Sequence, residues 1–372
     1  MKPTKTIFLA FTLNKAAIAD YYAALADELV GRGFQVVIIT DGKRTQKISE
    51  NTNPTVYTWP SKRPTRLADA RFLCKLIRRF RPVISFSNFG ADNINLIVSW
   101  LLSVPLRFVT YHTMLDPQIT RKPKSPSVQL QFLRKRLVYQ LATMILPVAE
   151  AMKSDLVKIY RVAPEKIKVF HNAIAAHPEL VQKELKALPD LLSAGGLSKG
   201  KGHDVLINAI SIVHQANPDV RLTIYGEGKE RANLEALIQT LGLNEVVRLP
   251  GNISHESVIR AMAESYALIH PSRFEAFGYS IIEAFSVGTP VIASAVGGIP
   301  EIIREGVDGF LVPPDDPALI ADRISHLCSN TQLRHEMSQN CQARFTEAFE
   351  VNRAVQKQAD WFESKMSLVE VQ

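Results

Sequence analysis

Short apolar runs alternate along the chain with longer stretches in which apolar residues recur every three or four positions. The runs predict buried strands at residues 6–11, 35–40, 83–86, 106–110 and 145–148. A second series falls at 191–194, 221–225, 246–249, 268–270, 291–293 and 310–312. Between them lie helical patterns such as AAIADYYAALADELVGRG, which stops at Gly33, and GHDVLINAISIVHQ. Strands that alternate with helices pair in parallel and need helices on both faces of the sheet. Residues 175–190, AAHPELVQKELKALPD, are polar with a proline near each end and read as a joint. The expected fold is therefore α/β: two doubly wound, Rossmann-like halves facing across a cleft. Residues 1–178 form the first half and 179–350 the second. Residues 351–372 read as a helix packing back on the first half. Ligands of such sheets bind beyond the carboxyl ends of the strands.

Composition changes this picture little and charge changes it more. A chain of 372 residues, 46% apolar, has the material for two cores, and a single core stops growing near ~250–300 residues. Cys74, Cys328 and Cys341 are scattered, which makes neither a disulfide framework nor a metal knuckle and fits a reducing compartment. The first run, TIFLAFTL, reads as a strand and not as a signal peptide. No run approaches the ~20 apolar residues of a membrane span, so a cytoplasmic location is expected. The net charge of +8 is uneven: residues 1–178 hold 27 Lys and Arg against 11 Asp and Glu. An anionic surface or partner is expected for that half.

The basic excess is densest in TRKPKSPSVQLQFLRKRLVYQLATMILPV, where no acid occurs from Pro117 to Ala149. Arg121, Lys122, Lys124, Arg134, Lys135 and Arg136 interleave there with Phe132, Leu133, Leu137 and Tyr139. A basic amphipathic segment of this kind suits an anionic membrane surface, here the inner leaflet. A helix with a solvated basic face is the plainer alternative. No nucleic-acid module accompanies the charge, so nucleic acid is not expected as a partner.

Two stretches carry candidate chemistry. AGGLSKGKGHDVLINAI, residues 194–210, follows a predicted strand and opens a predicted helix, a place suited to phosphate, with Lys201 adding charge. Its Gly195, Gly200 and Lys201 nearly match an NTPase phosphate loop, but Gly202 stands where that loop needs Ser or Thr for magnesium. A flexible strand-to-helix turn remains the alternative. SRFEAFGYSIIEAFSVGTP, residues 272–290, places Glu275 in a loop and Glu283 within an apolar helical run. A carboxylate in such a run is costly without a partner. Glu275, the start of a helix near Gly278, and Glu283 together offer what a sugar joined to a nucleotide diphosphate requires. A glycosidase reading of the two acids also stands open, since such pairs flank one bond at about 5–5.5 or 6.5–9.5 Å.

The run PSRFEAFGYSIIEAFSVGTPVIASAVGGIPEII, then GVDGFLVPPDD, resembles family 4 of the retaining glycosyltransferases, whose signature is two glutamates separated by seven residues. LTIYGEG, LPGNIS, His112 in TYHTM and Asn172 in VFHNAI also match, over most of the chain and most strongly from 191 to 317. The resemblance implies the GT-B fold and metal-independent, cofactor-free transfer with retention. It implies a UDP- or GDP-sugar donor and a lipid-linked or glycan acceptor. Glu283 would bind ribose hydroxyls. Glu275, with the amides of Phe277 and Gly278, would hold the donor sugar. Lys201 would meet the diphosphate, and His112 would lie beside the reacting sugar.

Three departures stand out. The family has Arg where this chain has Gly196, and Lys199 or Arg273 is the candidate replacement cation. The glycine pair after the first strand is replaced by TLNKAA, so Thr12, Leu13, Asn14 and Lys15 form a loop of different chemistry toward donor phosphate and acceptor. The usual Asn-Gly is Asn172–Ala173. The absent arginine and the altered first loop motivate an alternative, a non-catalytic sugar- or lipid-binding protein on the same scaffold, and a glycosyl phosphorylase or hydrolase using Glu275 and Glu283 is another.

Overall fold

A computed structural model describes residues 5–12, 16–41, 53–61, 64–112, 114, 126–181 and 189–370. Leu13, Asn14, Lys15, Arg121, Lys122 and Lys124 lie outside the described residues. The chain forms two compact units, Met1–Ala175 with Val351–Gln372, and Ala176–Glu350.

Each unit is built on a six-stranded sheet whose paired neighbours all run parallel. In unit 1 these are β1 (Thr6–Ala10), β2 (Gln35–Thr40), β3 (Thr55–Thr58), β4 (Ile84–Ser87), β5 (Leu106–Tyr111) and β6 (Met144–Pro147), in the order β3-β2-β1-β4-β5-β6. Unit 2 has β7 (Asp190–Ala194), β8 (Arg221–Tyr225), β9 (Val247–Gly251), β10 (Ala267–His270), β11 (Val291–Ser294) and β12 (Gly309–Val312). Their order is β12-β11-β10-β7-β8-β9. Strand order reverses between β1 and β4 in one sheet and between β7 and β10 in the other. At such a reversal the helices on either side diverge and leave a crevice outside the carboxyl ends of the strands.

Every residue of β1, β4, β10 and β11 is buried, as expected of strands covered on both faces. The one strand the apolar pattern missed is β3. It is an edge strand of four residues, TVYT, buried fully only at Thr55, so it carries no continuous apolar run. The last helix, Val351–Glu370, belongs to unit 1 because it completes that core. Phe362 packs on Phe86 and Phe108 at centroid distances of 5.5 and 5.3 Å. Tyr21 donates to Gln358 at 2.7 Å, and Arg32 pairs with Asp360 at 2.6 Å.

Candidate functional site

The site residues of unit 2 are carried by two loops at the sheet's reversal, one after β7 and one after β10. After β7 the chain makes one 3-10 turn, Lys199–Lys201, before the helix His203–Ala216. Gly202 joins them with φ +67, and a Cβ there would stand 2.0 Å from the carbonyl oxygen of Pro271. Only glycine lets the two loops touch at this point. Arg273 N–H donates to the Gly200 carbonyl at 2.8 Å and ties the same loops together.

That contact sets Lys201 against Glu275, 74 residues later, with Nζ 2.5 Å from Oε2. His270, the last residue of β10, reaches the same carboxylate with Nε2 at 3.2 Å. Ser272 Oγ lies 3.0 Å from His270 Nε2, and Ser280 Oγ lies 3.1 Å from Nδ1, so hydroxyls fix the ring on both sides. Burial alone would raise the Glu275 carboxyl. The hydrogen bond to His270 and the charge of Lys201 outweigh it and hold the carboxyl at about 2. Glu275 is therefore a carboxylate at neutral pH. Buried beside them, the His203 imidazole is lowered to about 4 by burial first and then by His270 and Lys201, which keeps it neutral.

Gly278, with φ +112, leads into the helix Tyr279–Ser286. Phe277 is buried and anchors the preceding loop through an edge contact with Phe349, centroids 6.0 Å apart. Glu283 is only 7% exposed on this helix. Its partner is His255, the first residue of the helix His255–Glu264, with Nε2 2.8 Å from Oε1. Both acids of the motif thus have cationic or imidazole partners, brought from 28 and 74 residues away.

The two candidate replacement cations differ. The Arg273 guanidinium grips Asp204 with both terminal nitrogens, at 2.9 and 2.7 Å, and Asp315 through Nε at 2.6 Å. It also donates to the Lys199 carbonyl at 2.5 Å. In this geometry Arg273 is a clamp between the loops and not an uncommitted cation. Lys199 is exposed and forms no ion pair among the described residues. Gly196 is exposed too, and a Cβ there would meet only the Glu227 carbonyl, at an ordinary 3.7 Å.

In unit 1, Thr12 follows β1 and His112 follows β5, both at carboxyl ends of strands. Thr12 Oγ1 donates to Asp41 at 2.5 Å. Among the basic residues, Arg134 and Arg136 are exposed on the helix Pro126–Gln140. Lys135 does not share their surface, which corrects its assignment to a membrane face. Its ammonium lies 5.5, 5.3 and 5.7 Å from the ring centroids of Tyr111, Tyr139 and Tyr160, drawn inward by those faces.

Sequence reasoning missed His270, His203, His255, Asp204 and Asp315. A signal existed for the first: ALIH is an apolar strand that closes on a polar residue at its carboxyl end. The others depend on loops that meet only in the folded chain.

A family model described as Glycosyltransferase Family 4 matches residues 18–177, and one described as Glycosyl transferases group 1 matches 178–344. The alpha-D-kanosaminyltransferase of Streptomyces kanamyceticus is 31% identical over 152 residues, 41% of this chain and 39% of the relative. The gpi3 subunit of phosphatidylinositol N-acetylglucosaminyltransferase from Schizosaccharomyces pombe is 30% identical over 185 residues, 47% of this chain and 40% of the relative. These alignments thus span about 40% of the length of either relative. HepE from Anabaena, solved with UDP, superposes with a TM-score of 0.76 at 20% identity, covering 97% of this chain and 100% of that one. Two adjoining family models over residues 18–344, laid on two parallel doubly wound sheets, place the chain among the GT-B glycosyltransferases of the family 4 type.

Proposed function

We propose that the protein moves a sugar from a UDP- or GDP-sugar to a lipid-linked or glycan acceptor, with retention of configuration and without a metal. The setting would be cell-envelope polysaccharide or glycolipid synthesis at the cytoplasmic face of a membrane. The observation that carries this reading is the Lys201–Glu275–His270 cluster at the reversal between β7 and β10. A cation and a carboxylate ionised at neutral pH stand 2.5 Å apart there. They fit the two ends of a sugar–phosphate linkage: Glu275 accepts from sugar hydroxyls, and Lys201 meets the diphosphate.

As the linkage breaks, negative charge grows on the leaving phosphate. Lys201 and the positive end of the Tyr279–Ser286 helix would stabilise that charge without reorganising. The leaving phosphate would take the acceptor's proton, with Glu283 on the ribose and the Phe277 and Gly278 amides on the sugar. Lys199 would supply the second phosphate cation, since Arg273 is committed to Asp204 and Asp315. A glycosidase needs a protonated carboxyl as general acid. A Glu275 carboxyl held at about 2 speaks against that alternative.

The UDP bound to HepE supports a uridine donor. The fission-yeast relative, named for phosphatidylinositol, supports a lipid acceptor. Unit 1 adds a physical reason for a membrane surface. Leu130, Leu133 and Leu137 form an exposed stripe on the Pro126–Gln140 helix beside Arg134 and Arg136. The helix Asp92–Leu101, which packs against it, exposes Ile97, Trp100 and Leu101. Apolar side chains entering the headgroup layer beside arginines are what an anionic leaflet binds. Among the described residues no helix is long and apolar enough to cross a membrane.

Calorimetry with UDP and GDP tests the donor half directly. One of them should bind wild type, and Lys201→Ala should weaken it about tenfold or more, the loss of one charge-assisted bond. No binding of either nucleotide would contradict the reading. Turnover should persist in a chelator, and the product's anomeric coupling should match the donor's.

A further inference from the structure

We propose that the carboxyl ends of β4 and β5 in unit 1 bind the hydroxyls of an uncharged sugar or polyol through Ser87, Asn88, Asp92 and Tyr111. Ser87 is the last residue of β4, Asn88 follows it, and Tyr111 ends β5. Asp92 opens the helix Asp92–Leu101. The Asn88 backbone donates to the Ala10 carbonyl at 2.9 Å, so this residue stands at the reversal between β1 and β4, where such sheets take ligands.

All four side chains are buried, Asn88 to 1% exposure, yet five of their polar atoms have no hydrogen bond among the described residues. They are Ser87 Oγ, both amide atoms of Asn88, one Asp92 oxygen and Tyr111 Oη. Ser87 is near enough to Asp92 to lower its pKa, and Tyr111 is near Tyr160, but neither pair meets hydrogen-bond geometry. Folded chains leave few buried polar groups unpaired, because each costs about 1–3 kcal/mol. Among the described residues, five such atoms gather at one end of one sheet, where a ligand's hydroxyls would supply the partners.

The donor set names the ligand class. An amide, a carboxyl and two hydroxyls donate and accept in equal measure, as vicinal hydroxyls do. A phosphate offers only acceptors and would meet the Asp92 oxygen. Lys135 lies close by, its ammonium over the Tyr111 ring at 5.5 Å, and its charge acts on Asp92. Burial pushes the Asp92 carboxyl up to about 7 against the pull of Lys135 and Ser87. The carboxyl therefore both donates and accepts near neutral pH. This rests on the proposed transfer to a lipid-linked or glycan acceptor only for taking the ligand as the acceptor's head group.

Saturation-transfer NMR tests it with four probes: myo-inositol, glycerol, methyl α-glucopyranoside and methyl N-acetyl-α-glucosaminide. At least one should bind the full chain at millimolar affinity. Asn88→Ala should weaken that binding about tenfold, as two neutral hydrogen bonds are lost, and Asp92→Asn and Ser87→Ala should weaken it severalfold. Tyr57→Phe, which removes an unpaired buried hydroxyl away from this place, should leave it unchanged. Thermal melting identifies any variant that fails to fold, and the remaining variants then decide. No bound probe, or equal binding in every folded variant, would overturn the proposal. UDP calorimetry on the same samples reads the donor side independently. Polyol binding without UDP binding would sink the transferase reading and leave this one standing.

Discussion

Glu283 is buried and Glu275 partly buried, and the two are made tolerable in different ways. Glu275 has a full cation and an imidazole, Glu283 an imidazole alone. That an acid inside an apolar run needs a partner was legible from the sequence. The partners were not, because Lys201 and His255 lie on other elements and become neighbours only through the sheet order. Two predictions belong at this scale. The folded Glu275 carboxyl is lowered from 4.5 to about 2, so its contribution to stability is complete above about pH 4.5 and lost as pH falls through about 2. Urea unfolding from pH 5 down to 2 should show unit 2 weakening in that window, and Glu275→Gln should flatten the decline. Second, a Cβ at Gly196 makes only an ordinary contact with the Glu227 carbonyl and the residue has no left-handed φ, so no clash stands against the family's arginine there. Gly196→Arg should tighten UDP or GDP binding about tenfold, the worth of one charge-assisted hydrogen bond, as read by calorimetry. Unchanged affinity would mean that Lys199 already does this work or that the phosphate lies elsewhere.

Elements were the most readable level of this chain. Central strands of a parallel sheet are buried on both faces, so β2 stands out as an apolar run with the boundaries the pattern gave. β3 did not, because an edge strand buries too little to leave a run. The basic helix Pro126–Gln140 shows the opposite failure. Charge alone grouped Arg134, Lys135 and Arg136, but helical period separates them. Lys135 shares its face with Tyr139, four residues on, which is 1% exposed, and so turns inward. The loop contact at Gly202 gives the element-scale prediction. Gly202→Ala would force a Cβ to within 2.0 Å of the Pro271 oxygen at φ +67. Urea unfolding should show a loss of about 1–3 kcal/mol from strain of this kind. Nucleotide affinity should fall as well, since the same contact aligns Lys201 with Glu275.

At the level of the whole molecule, the two-unit α/β architecture followed from alternation alone, whereas the return of residues 351–370 to unit 1 rests on Phe362 reaching the first core. Charge asymmetry is also a whole-molecule property, and it belongs to the unit that exposes leucines on its basic helix. Wild type should float with anionic liposomes at moderate salt and not with neutral ones. Leu133→Glu with Leu137→Glu should abolish flotation, while Lys135→Gln, which alters an inward side chain, should leave it largely intact. Failure of wild type to float would remove the membrane from the account.

The central claim is that the Lys201–Glu275–His270 cluster serves a nucleotide-sugar donor. The most direct measurement incubates wild type and Glu275→Ala with each common UDP- and GDP-sugar plus a membrane lipid extract, and follows nucleotide diphosphate release. The account predicts release from one donor class by wild type and its loss in Glu275→Ala. Equal release by both proteins, or sugar set free from glycosides without any nucleotide, would contradict it.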